Sequence, residues 1–167
     1  MGAALLTAHL ENLILYEPPP PGETGFIDPV IFDRLHALLK AGDRAGVVST
    51  FLHEVAGVSS ADLALLRGAP SWKSRIEAAH TILRENVAPL PEFDAQQFVG
   101  VKTRTLLLLG GDSNRFFVES INKVHSALAN STVVVLPGQR HVAMNSAPEL
   151  FVATVLDFLK PNAQMEG

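Results

Sequence analysis

The chain has no cysteine, so neither a disulfide framework nor thiolate chemistry is available to it. That fits a reducing compartment, and the expected location is cytoplasmic. Charge is scarce as well: 18% of the 167 residues are charged, and the formal net charge is −4. Such a balance gives no electrostatic reason to bind nucleic acid or an anionic membrane, so no partner of either kind is expected. No apolar run reaches the ~18 residues of a membrane span. The opening Met-Gly-Ala-Ala-Leu-Leu-Thr lacks the positive flank of a signal peptide. It reads as the last turns of a helix cut from something longer, or as an ordinary frayed terminal helix. His9, His36, His53 and His125 show no metal-ligand spacing of the His-Glu-Xaa-Xaa-His kind, and neither metal nor cofactor is expected.

Apolar residues, by contrast, make up 47% of the chain. With so little charge, this predicts either a well-buried parallel sheet or a surface that needs a partner. Leu-Ile-Leu-Tyr (13–16) is a short apolar run without alternation, the pattern of a strand covered on both faces. The run Glu-Pro-Pro-Pro-Pro then ends it near Glu17. Helices are predicted after Asp28-Pro29, after Asp43, from Ser59 or Ser60, and from Ser71. The inward residues are expected to include Leu35, Val47, Val48, Leu65, Leu66, Trp72, Ile76 and Leu83. His80 falls on the stripe of the fourth helix and reads as a core or pocket-lining residue. Residues 88–98 return the chain to the sheet.

From 103 the pattern becomes strand (103–109), helix (115–129), strand (132–136) and helix (from about Ala147, burying Phe151, Val155, Phe158 and Leu159). Alternation of this kind predicts a parallel α/β sheet. The expected division is a core of residues 1–22 and 96–167 with a helical insertion over 23–95.

Two loops carry the chemistry. Gly-Gly-Asp-Ser-Asn (110–114) follows the second strand, and Gly-Gln-Arg-His (138–141) follows the third. Both therefore lie past carboxyl ends of strands, where open α/β sheets place their sites. His141 is a candidate general base, and Asp112 the candidate acid that would fix its tautomer. Ser113 is read as a cap of the following helix rather than as a nucleophile.

In this order, Leu-Ile-Leu-Tyr-Glu-Pro-Pro, Leu-Leu-Leu-Leu-Gly-Gly-Asp-Ser, Val-Val-Val-Leu-Pro-Gly-Gln-Arg-His-Val-Ala-Met and Ala-Pro-Glu-Leu-Phe resemble the C-terminal half of an α/β-hydrolase. The resemblance covers essentially the whole chain. It implies a truncated α/β-hydrolase-like fold of about three parallel strands, with the helices at 28–87 as a cap. It also implies hydrolysis of a carboxylic ester or lactone, with catalytic Asp112 and His141. The family's Gly-Xaa-Ser-Xaa-Gly nucleophile elbow does not occur in these 167 residues, and the oxyanion hole built around it is missing with it.

Three readings stay open. The chain supplies acid, base and cap to a serine hydrolase; or its dyad activates water directly; or it is a non-catalytic module. The expected partners are a small-molecule ester or lactone and a second copy of the chain. A homodimer would form through the edge strand 13–16 or the N-terminal helix.

Overall fold

Three apolar runs become three parallel strands, β1 (Asn12–Tyr16), β2 (Arg104–Gly110) and β3 (Ser131–Leu136), in the order β1-β2-β3. They belong to a computed structural model that describes residues 2–7, 9–19, 27–87 and 93–160. The middle strand is buried from Thr105 to Gly110, as its unbroken leucine run requires. Every residue of β1 is half-buried, and β2 is its one strand partner among the described residues. Leu15 pairs with Leu107, and Leu107 in turn with Val133.

One face of β2 is covered by α7 (Arg115–Ala127). The helix starts where the Asn114 side chain accepts the Phe117 N–H, so Asn114, not Ser113, is its cap. Phe117, Ile121 and Val124 follow at i, i+4 and i+7 and close over Leu107 and Leu109. Each such side chain contributes about 1.5–3 kcal/mol on burial, which makes this layer the firmest part of the sheet.

Between β1 and β2 lie α2 (Pro29–Lys40), α3 (Arg44–Thr50), a π-helical turn (Phe51–Val55), α4 (Ser60–Gly68), α5 (Trp72–Glu77) and α6 (Ala79–Val87). Asp28, Asp43 and Ser59 cap their helices through side-chain bonds to Val30, Gly46 and Asp62 amides. These helices share a core of their own around Leu35, Val47, Val48, Leu66 and Ala79. Val142, the residue after His141, is buried in it. The histidine loop and the helical insertion therefore pack as one unit.

Four expectations need correcting. The single helix expected from Ser71 is two, broken at Ala78. The break frees the Glu77 carbonyl, which accepts from Arg44 Nη1 at 3.0 Å, and lets α5 and α6 face the same core separately. His80 lies exposed beside that break, its Nδ1 3.2 Å from the same carbonyl, and is not a core residue. Leu65 is exposed while Leu63 and Leu66 are buried. Finally, α9 (Pro148–Leu159) buries none of the residues expected of it, and its Val152, Leu156 and Leu159 stand open. A helix apolar on several sides needs more cover than a three-stranded sheet provides. The first helix, α1 (Gly2–Leu6), likewise leaves Leu6 exposed. The expected boundary at 22–23 and part of the return segment at 88–98 lie outside the described residues. Among the described residues no helix is long and apolar enough to cross a membrane.

Candidate active site

At the carboxyl end of β1, Glu17 adopts φ +42°, a conformation costing a residue with a Cβ roughly 1–2 kcal/mol. Its N–H still bonds the Leu108 carbonyl at 3.0 Å, and the carbonyl of the next residue, Pro18, accepts from the Ser120 hydroxyl. The chain is thus held on both sides of the turn. The Glu17 side chain is fully buried. Its Oε1 accepts the Gly110 N–H at 2.7 Å, and its Oε2 lies 2.7 Å from His141 Nδ1. Hydrogen bonds to a charged acceptor contribute about 1.5–3 kcal/mol each, so the two together outweigh the backbone strain. A Cβ on Gly110 would come within 2.5 Å of the Gln139 carbonyl oxygen. Glycine there lets the second strand's exit reach the histidine loop.

His141 is the other half of the pair. Its ring stacks on Phe117, with centroids 4.3 Å apart and planes 8° from parallel. Tyr16 lies near-parallel to it at 5.9 Å. The imidazole remains about 30% exposed while its carboxylate partner is sealed off. With a carboxylate at Nδ1, that nitrogen carries the proton and Nε2 is the basic one. A buried carboxylate beside an oriented, partly exposed imidazole is the arrangement that general-base chemistry requires.

Of the two residues expected to form the site, the structure brings His141 into it and leaves the Asp112 side chain exposed. Asp112 meets the histidine loop through its main chain, donating its N–H to the Gln139 carbonyl at 2.9 Å. The carboxylate at Nδ1 belongs to Glu17, which sequence reasoning passed over as a strand exit. Its signal was an acidic residue closing an apolar strand just ahead of a proline run. Ser113 neither caps nor pairs: its Oγ is buried without a hydrogen-bond partner. His53 and His125 bond Val58 O and Ser131 Oγ, each at 2.8 Å. Among the described residues no three His, Asp or Glu side chains cluster as a metal site would require.

No family model and no curated protein matches the chain, but solved structures do. An α/β hydrolase from Sphaerobacter thermophilus is 25% identical with a TM-score of 0.66, covering 95% of this chain and 62% of its own. A bromoperoxidase from Bacillus anthracis is 18% identical with a TM-score of 0.66, covering 93% and 60%. The enol-lactonase from Burkholderia xenovorans LB400 is 18% identical with a TM-score of 0.62, covering 95% and 60%. The chain thus spans roughly three fifths of the length of these structures. It is related to the α/β-hydrolase superfamily and forms three parallel strands of that fold, with flanking helices and a helical insertion.

Proposed function

We propose that these residues carry the acid and base of a carboxylic ester or lactone hydrolase, Glu17 orienting His141 and His141 moving the proton. One observation supports this above the rest: a sealed carboxylate is held in a strained turn by two bonds, one of them to His141 Nδ1. In this reading Nε2 takes the proton of an attacking hydroxyl as the tetrahedral intermediate forms. Glu17 stabilises the imidazolium, and the proton then passes to the departing alkoxide. The nucleophile and oxyanion donors come from polypeptide paired along the free edge of β1. Asp112 has no place in this proton path. One of the solved structures of similar fold, the enol-lactonase, has a name that states an ester-type substrate.

Losing a serine nucleophile costs about a million-fold in turnover, so the 167 residues alone should be nearly inert toward p-nitrophenyl esters. Joined to a hydrolase half bearing the nucleophile elbow, they should gain ester hydrolysis that His141→Ala abolishes. Activity that survives His141→Ala in the joined protein would sink the reading. Activity of the lone chain that resists a fluorophosphonate yet vanishes in His141→Ala would instead favour direct activation of water.

A second reading, a non-catalytic homodimer, is favoured by the edge of β1 left unpaired among the described residues and by the exposed Leu6. It predicts a mass of two chains by light scattering at micromolar concentration, and a monomer there would remove it.

A further inference from the structure

We infer that Tyr16 is a positioning residue for His141, its hydroxyl tying together the backbone on either side of the histidine. This rests on the acid–base reading above and extends it to the loop that carries the base. The Tyr16 hydroxyl donates to the Arg140 carbonyl, one residue before His141. It also accepts the Ala143 N–H, two residues after, at 3.3 Å. The ring is itself fixed, edge-on to Phe151 with centroids 5.5 Å apart, and it lies 19° from parallel with the imidazole.

Glu17 alone cannot do this work. Its bond to Nδ1 restrains one atom of the ring, whereas the angle at which Nε2 faces a reacting hydroxyl depends on where the loop backbone sits. Between β3 and the short helix α8 (Ala143–Ser146) that backbone has no strand or helix of its own. Successive residues of a strand normally point to opposite faces. The turn at Glu17 breaks the alternation, so that Tyr16 and Glu17 both reach the same loop. One dipeptide at the end of β1 thereby sets the imidazole, by its nitrogen and by its main chain. Burial pushes the Tyr16 hydroxyl up to about 12, so it remains a donor throughout the range in which a histidine titrates.

The test is imidazole NMR on 15N-histidine-labelled protein, reading solvent exchange of the His141 Nδ1 proton. Tyr16→Phe keeps the ring and removes the hydroxyl. Its Nδ1 proton should exchange about five- to tenfold faster than in the wild type, the worth of one net hydrogen bond, with the circular dichroism spectrum unchanged. Tyr16→Leu, which also removes the stacked ring, should exchange faster still. Equal exchange rates in Tyr16→Phe and wild type would overturn the inference. So would a Tyr16→Phe chain that fails to fold, since the hydroxyl would then be a structural requirement. The chain has one tyrosine, so uniform 3-fluorotyrosine labelling reports on Tyr16 alone. Its fluorine resonance should shift in His141→Ala, and an unchanged resonance would count against the contact. Failure of the acid–base reading is a separate result: activity of the joined protein would survive Glu17→Gln, while the Tyr16→Phe exchange rate would still rise.

Discussion

Glu17→Gln should lower ester hydrolysis by the completed enzyme on the order of 10³–10⁴-fold, the scale on which an uncharged isostere of a triad acid acts. The substitution keeps the shape of the side chain and still offers an oxygen to the Gly110 N–H. What changes is the group facing His141 Nδ1. An amide NH₂ turned toward that nitrogen requires it to accept, so the ring proton moves to Nε2 and the base is lost. The imidazolium formed during attack would also lose its buried counter-charge. Asp112→Asn, by contrast, changes an exposed side chain, and activity should stay within a small factor of the wild type. Steady-state kinetics on both variants separates the assignments. If Asp112→Asn carries the large loss and Glu17→Gln the small one, the roles of the two carboxylates must be exchanged.

Why the sequence pointed to Asp112 while the structure sets Glu17 against His141 follows from what a loop sequence encodes. Gly-Gly-Asp-Ser after a leucine run locates a turn at the sheet's carboxyl end, and Asp112 is there, its main chain against Gln139. The direction of a side chain in such a turn depends on dihedral angles that no spacing rule supplies. Glu17 reaches His141 across 124 residues, through a positive φ that residues other than glycine seldom adopt. Local pattern marked an acidic residue closing a strand ahead of prolines, but not where its side chain would point. His141 itself was legible, because a histidine following an apolar strand and a glycine turn has few places to go.

Elements with strong local chemistry were legible too. Asp28-Pro29, Asp43 and Ser59 start helices because their side chains satisfy amides within the same turn. The break at Ala78 was not, since Arg44 meets the freed carbonyl from another helix. Periodicity likewise assigned Phe151, Val155, Phe158 and Leu159 of α9 to a buried face. It could not tell that the described chain buries none of them and leaves Leu159 exposed.

That contrast sets the second large effect, a pair of leucine-to-alanine changes with opposite expectations. Leu107 is fully buried in the central strand, flanked by Leu15 and Val133 and covered by residues of α7. Neighbouring strands fix its backbone on both sides, so little can collapse into the space its side chain leaves. Leu107→Ala should therefore cost about 3–4 kcal/mol, within the range for buried leucines, and lower the melting temperature by roughly 6–16 °C for a chain of this size. Leu156 is as large but 57% exposed on α9, and Leu156→Ala in the same chain should change stability by no more than about 0.5 kcal/mol. Thermal denaturation followed by circular dichroism measures both. A small loss at Leu107 would mean that β2 is not the centre of the core. A large loss at Leu156 in the isolated chain would mean that the apolar face of α9 is already covered, by a second copy or by another segment. If light scattering then gives a dimer, the exposed face of α9 and the edge of β1 belong to an interface between copies. If Leu156→Ala becomes costly only once a hydrolase half is joined along β1, they belong to a larger sheet, and with it to the site that Glu17 and His141 would serve.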